Sequence, residues 1–321
     1  MVALLDVKKL KTYFFLERGV VKAVDGIDLK IKIGESLGLV GESGCGKSVT
    51  ALSIMRLVPY PGKIVEGSVI FDGVDLLKLK EEEIRKTRGK KIAMIFQDPT
   101  TALNPTLTIG DQLAEVFQIH ENMSKSEAYK AAKEMLDLVG IPSSQERLKD
   151  YPHQLSGGMK QRVMIAMALA CKPKLLIADE PTTNLDVTIQ AQILELLKDL
   201  KSRFSTSIML ITHHLGLVAE LCDTVAVMYA GKLVEYANMR DVLKNPKHPY
   251  TKALLECIPD VTGRSKKLSF IKGSLPDPFN LPTGCRFHPR CTYAFEDCYN
   301  REPELREVSL NHAVACHLYE K

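Results

Sequence analysis

The sequence predicts an α/β fold: a parallel or mixed β-sheet core, a mostly helical subdomain and a small cysteine-rich C-terminal extension. Three observations lead there. The short apolar runs LGLV (37–40), LLIAD (175–179) and SIMLIT (207–212) alternate with helix-forming segments, as buried parallel strands do. A glycine-rich loop follows the first run and opens a helix-forming stretch. Four of the eight cysteines, 285, 291, 298 and 316, gather near the end of the chain.

Taken in order, residues 1–96 alternate strand signals and turns, with a polar helix near Lys80–Arg88. Residues 97–165 read as mostly helical; in KSEAYKAAKEMLDLVGI apolar residues recur at three- and four-residue steps. A helix at about Thr188–Phe204 follows, and VAVMYAGKLVEY has the pattern of a β-hairpin turning at Ala230-Gly231. With 45% hydrophobic and 26% charged residues, the 321-residue chain has an ordinary soluble composition. No run approaches the roughly 18 apolar residues of a membrane span, and MVALLDVKKLKTYFF lacks signal-peptide layout. A net charge of +4 with evenly interleaved acids argues against a nucleic-acid partner.

The loop reads Gly41-Glu42-Ser43-Gly44-Cys45-Gly46-Lys47-Ser48, then Val49. It is GxxxxGKS between a strand and a helix, the context of a P-loop NTPase. Glycines let the backbone wrap a phosphate with its N–H groups pointing inward, and the helix N-terminus adds partial positive charge. Lys47 is expected to reach the β- and γ-phosphates of ATP and the Ser48 hydroxyl to ligate Mg²⁺. Cys45 lies where a helix dipole can lower a thiol pKa, although the position needs only a small side chain.

LLIAD runs into Glu180, so the strand ends in two carboxylates. Neighbours on a strand face opposite ways. Asp179 is assigned to the Mg²⁺ shell and Glu180 to the attacking water, as general base. Upstream, Ser156, Gly157 and Gly158 precede another helix and form a second phosphate-gripping helix start. One nucleotide does not need two cradles from one chain.

LSGGMKQR (155–162) resembles the signature motif of ABC-transporter ATPases. That resemblance extends over about residues 5–235. It implies a head-to-tail dimer, homodimer or heterodimer with a related subunit, in which the signature of one subunit closes over the nucleotide held by the other. It further implies that Gln97 in MIFQDP touches Mg²⁺ and water, that Asp186 in TTNLD crosses the dimer interface, and that His213 in LITHH contacts the γ-phosphate. His214 follows directly and leaves that role open between the two histidines. Tyr13 or Phe14 is to stack on adenine. Met159, Asn184 and His214 depart from the commoner family residues; none removes a group that contacts phosphate.

On this reading residues 1–96 and 166–236 make a RecA-like ATP-binding core with an antiparallel β subdomain, 97–165 the helical subdomain and 237–321 the extension. NPKHPYTKALLECIPD, within that extension, resembles the ATP-binding subunits of oligopeptide, dipeptide and nickel importers. TTALNPTLTIGDQLAE resembles their docking region for a permease coupling helix. The resemblance implies transmembrane permease partners, an extracytoplasmic substrate-binding protein acting indirectly, and a place on the cytoplasmic face of the membrane. It implies an ATP-hydrolysing subunit that powers import of di- or oligopeptides; nickel or another small solute as cargo, and a soluble non-transport ABC ATPase, are the alternatives.

The tail spacing is C-x5-C-x6-C-x17-C. Residues 259–284 are rich in Pro, Gly and Ser and read as a surface segment without regular structure. The last sixty residues are polar and proline-broken, so a metal staple is expected to hold them. The wide spacing lacks CxxC zinc knuckles and suits a [4Fe-4S] cluster on Cys285, Cys291, Cys298 and Cys316, as in related importer ATPases; Zn²⁺, or no metal, are the alternatives. His288, His312 and His317 lie near enough in sequence to replace one thiolate.

Overall fold

A computed structural model describes residues 3–183, 185–257 and 271–320. The departure noted at Asn184, and part of the Pro- and Gly-rich segment, lie outside the described residues. The chain forms two compact units, residues 1–77 with 210–321, and residues 78–209.

In the first unit, β1 (Ala3–Leu16) pairs antiparallel with β2 (Gly19–Lys32) and with β4 (Gly62–Phe71), which continues to the short β5 (Val74–Asp75). Alternating burial along β1 and β2 shows one face packed inward. A second, mixed sheet runs from β3 (Ser36–Val40), parallel to β9 (Thr224–Tyr229), through antiparallel β10 (Lys232–Asn238). Every residue of β3 and β9 is buried, so both read as continuous apolar runs. The hairpin turns where expected: Ala230 and Gly231 both take left-handed φ, 43° and 85°, as a two-residue turn of right-twisted strands demands. Helices α1 (Lys47–Ile54), α9 (Leu215–Leu221), α10 (Met239–Lys244) and α11 (Pro249–Glu256) complete this part. Gly38 of β3 is required by α9, since a Cβ there would come within 2.1 Å of Val218.

The second unit holds α2 (Glu81–Thr87), the parallel pair β6 (Ile92–Ile95) and β7 (Leu175–Asp179), and the helices α3 (Pro99–Ala102), α4 (Ile109–Glu121), α5 (Lys125–Leu138), α6 (Ser144–Arg147), α7 (Gly157–Leu169) and α8 (Val187–Phe204). Strand β8 (Ser207–Thr212) carries the boundary between the units. Local signals set the helix starts. Thr108, Ser124, Ser156 and Asp186 each accept a hydrogen bond from a backbone N–H in the first turn, and Ser124 with Glu127 forms a full capping box. Ile193, Leu194, Leu197 and Leu200 form the buried stripe of α8.

The tail differs from the expectation of a segment that burial could hardly hold. Beyond α12 (Glu296–Asn300), β11 (Arg306–Ser309) and β12 (His312–Val314) form a hairpin, and β12 extends the mixed sheet at β10. Phe287 is buried in an aromatic cluster with Tyr229 and Tyr250, at centroid distances of 5.1 and 5.4 Å. The fully buried Glu235 of β10 accepts hydrogen bonds from the N–H groups of Lys247 and His248 and lies 2.6 Å from His312 Nε2. This carboxylate ties α11 and the tail to the sheet. The sequence pattern hid it because Glu235 falls within a hairpin that reads as ordinary strand.

Two predictions come from this packing. Glu235→Ala leaves His312 and two amides buried without their acceptor, and should cost about 3–5 kcal/mol. A denaturation midpoint equal to the parent's would remove the hub role. His248 is buried and its Nδ1 accepts the Tyr250 N–H at 3.0 Å, capping α11 in the neutral form. Burial pushes its pKa down from 6.5 to about 3. The folded chain therefore refuses a proton that the unfolded chain takes up, and stability should fall as pH drops from about 6.5 toward 3, by up to about 1.4 kcal/mol per unit. His248→Gln should flatten that slope in urea titrations at pH 7 and pH 5.

Candidate nucleotide-binding and hydrolysis site

The loop after β3 is shaped by its glycines. A Cβ on Gly41 would meet Met228 O at 2.2 Å, and one on Gly46 would meet Ala23 O at 2.1 Å, so backbone crowds both positions. Gly44, with φ +82°, lies at the exposed tip beside Ser43. Gly46 begins α1, with Ser48 and Val49 half-buried in its first turn. The Lys47 ammonium, on a residue only 4% exposed, donates to Gly41 O at 2.7 Å and Glu42 O at 3.0 Å. Among the described residues its oxygen acceptors are these neutral carbonyls, so the loop surrounds a buried cation without supplying a carboxylate to it. That donor set fits a polyphosphate. Cys45 is buried, and burial outweighs Lys47 to raise its thiol pKa. Desolvation thus works against the lowering a helix dipole would give, in keeping with a position that needs only a small side chain.

In the second unit, β6 and β7 run parallel with Ile95 opposite Ala178. Two positions past that pair the register brings Gln97 and Glu180 together, with Gln97 Nε2 donating to Glu180 Oε2 at 3.2 Å. Thr183 Oγ1 donates to the same oxygen at 2.9 Å. The threonine sits three residues on in the bend after β7, a partner that sequence reasoning missed. Asp179 is the last residue of β7 and is 4% exposed. Glu180 has already left the strand, with φ 45° in the left-handed region. The two carboxylates are therefore separated by a backbone turn rather than by strand alternation, and a strained non-glycine residue of this kind is typical of functional sites. The side-chain oxygens of Ser48, Gln97 and Asp179 are hard donors of the kind Mg²⁺ takes.

The signature Ser156 caps α7, its Oγ accepting from Met159 N at 3.3 Å; Ser156 and Gly157 are exposed and Gly158 is half-buried. The start of α7 lies beside the start of α8, since a Cβ on Gly158 would come within 3.2 Å of Ile189. Asp186 is exposed and caps α8 through Ile189 N. The signature residues and Asp186 thus lie at two neighbouring helix starts of this unit. His213 and His214 are both exposed beyond β8, their rings 4.0 Å apart. In β1 the two aromatics part company. Tyr13 donates to Asp25 at 2.6 Å, and with burial this raises its pKa, whereas the Phe14 ring lies where a Cβ on Gly62 would touch it at 2.7 Å.

All four tail cysteines line one recess, with His288, His317 and Phe287. Gly284, at φ +65°, allows Cys285 N to donate to Cys298 O at 2.9 Å. Burial pushes the Cys285 and Cys316 thiols up to about 11. Among the described residues no group of three or more His, Cys, Asp or Glu is arranged to hold a single metal ion. Neither the [4Fe-4S] cluster nor the zinc alternative gains support from this arrangement. Nor do the histidines offer themselves: His312 is engaged by Glu235, and His317 by Arg301 O and Glu320. His288 Nδ1 faces Cys285 O at 2.9 Å.

No helix among the described residues is long and apolar enough to cross a membrane. Residues 24–183 match the family model described as ABC transporter, and residues 234–298 match the oligopeptide/dipeptide transporter C-terminal region. The chain is 54% identical to the oligopeptide transport ATP-binding protein AppD of Bacillus subtilis, covering all of this chain and 98% of that one. It is 50% identical to the oligopeptide transport ATP-binding protein OppD of Escherichia coli, covering 98% and 93% of the two chains. Among solved structures it resembles the dimeric ATP-binding cassette MJ0796 bound to ADP and Pi, with TM-score 0.66, 29% identity, and coverage of 74% of this chain and 99% of that one. A glycine loop around a buried lysine, a strand-end glutamate, a capped signature helix and full-length similarity together have one meaning: the chain is an α/β P-loop ATPase of the ABC-transporter family, in its oligopeptide/dipeptide ATP-binding branch.

Proposed function

We propose that this chain binds ATP at the Lys47 loop and hydrolyses it in a head-to-tail dimer, driving peptide import by permease subunits from the cytoplasmic face of the membrane. The observation that carries the hydrolytic step is the hydrogen-bonded set Gln97–Glu180–Thr183. Two donors on Oε2 orient the Glu180 carboxylate. Glu180 takes a proton from water as that water attacks the γ-phosphorus, and ADP leaves with its bridging oxygen. Ser48, Gln97 and Asp179 would hold Mg²⁺, which when bound neutralises charge on the phosphate oxygens. Ser156 to Gly158 of one subunit cover the nucleotide held by the other, with Asp186 at the same interface. His213, with His214 as the alternative, contacts the γ-phosphate. Phe14 takes the adenine, because the Tyr13 hydroxyl is committed to Asp25 while Phe14 has no polar tie. The dimer reading is supported by MJ0796, whose cassette is dimeric; the cargo reading is supported by the names AppD and OppD bear.

The tail cysteines hold a [4Fe-4S] cluster on this reading. All four line one recess, and a cubane takes its thiolates further apart than one ion does. When bound, such a cluster cross-links the tail.

Glu180→Gln should retain ATP binding and lower turnover by about 10²- to 10⁴-fold; unimpaired turnover would remove Glu180 from the base role. Iron and acid-labile sulfide analysis of anaerobically purified protein should find about four of each per chain. Protein containing neither would leave the tail held by its own packing alone.

A further inference from the structure

The same eight residues that hold the first two tail cysteines, GCRFHPRC (284–291), also carry two arginines that the nucleotide chemistry above does not use. Arg290, whose side chain is only 4% exposed, forms a two-pronged ion pair with Glu42 of the phosphate loop: Nη1 to Oε2 at 2.6 Å and Nη2 to Oε1 at 3.0 Å. Its Nε donates to Lys272 O at 2.9 Å, and Nη1 also reaches Tyr229 OH at 3.4 Å. The guanidinium is thus fixed from several sides, and its planar fork matches a carboxylate as an ammonium cannot.

Glu42 is held at its backbone as well. Its N–H donates to the hydroxyl of the buried Tyr250 at 2.9 Å. Its carbonyl accepts from Cys45 N at 3.3 Å and from Lys47 Nζ at 3.0 Å. One residue therefore connects the extension, through its side chain and amide, to the ammonium expected to meet the phosphates. The second arginine repeats the arrangement nearby: Arg286 pairs with Asp25, which also receives the Tyr13 hydroxyl.

We propose that Arg290, seconded by Tyr250, is a positioning residue for the phosphate loop, so that the C-terminal extension sets the affinity of the ATP site through Glu42. Without the clamp Glu42 is free to rotate, its carbonyl leaves Lys47, and the loop must be ordered by the nucleotide itself. Preorganisation is lost and affinity with it. The proposal rests on the reading of the Lys47 loop as the ATP site.

The test is a double-mutant cycle on the full-length protein, read by titration with a fluorescent ATP analogue and Mg²⁺ and by the ATP dependence of hydrolysis. Arg290→Lys keeps the charge but not the fork, and Glu42→Gln keeps the shape but not the charge. Each should weaken analogue binding by about tenfold and raise KM with kcat nearly unchanged. The double variant should be no worse than either single one. Losses that add in the double variant, or a fall in kcat and melting midpoint with unchanged analogue affinity, would show a general structural role and overturn the proposal. Affinity unchanged in both single variants would overturn it equally. Lys47→Ala separates the underlying reading: if binding survives that change, the loop is not the site and the proposal goes with it. If Lys47→Ala abolishes binding while Arg290→Lys does not weaken it, only the clamp is refuted.

Discussion

Glu42 has every polar group engaged by a different part of the chain, and the architecture of the first unit converges on it. Its carboxylate takes Arg290, its amide takes Tyr250, and its carbonyl takes Lys47. A loop rich in glycine is conformationally permissive. Left to itself it would have many shapes; here it is tied by a bidentate ion pair whose guanidinium is buried. The lysine proposed to meet phosphate is thereby anchored at the Gly41 and Glu42 carbonyls.

The extension is accordingly no mere appendage. Its arginines face Glu42 and Asp25, Phe287 enters the aromatic cluster, and β12 lengthens the mixed sheet at β10. Glu235 joins the start of α11 to His312. These contacts are polar and aromatic, directional and long-range, so they supply a defined docking that a short polar segment could not obtain from burial alone.

The proposed hydrolytic chemistry rests on a different device in the second unit. Parallel register between β6 and β7 decides that the residues two positions past the Ile95–Ala178 pair meet, and the left-handed turn at Glu180 lifts its carboxylate out of the buried strand. Asp179 stays behind in the core. Two adjacent acids thus acquire different surroundings from one backbone bend.

Most elements could be read in the sequence because their signals are local. Continuous apolar runs mark the buried strands β3, β7, β8 and β9, a capping serine or aspartate marks the starts of α5, α7 and α8, and the GxxxxGKS spacing marks the phosphate loop. What escaped was every link between residues far apart in the chain: Arg290 with Glu42, His312 with Glu235, Phe287 with Tyr229, and the strand added by the tail. The rise of the Cys45 pKa escaped for the same reason, since desolvation depends on what packs around a thiol. Composition and periodicity report the state of a residue and its near neighbours. Which distant carboxylate an arginine finds is decided only when the sheets and helices have brought the two within hydrogen-bond reach.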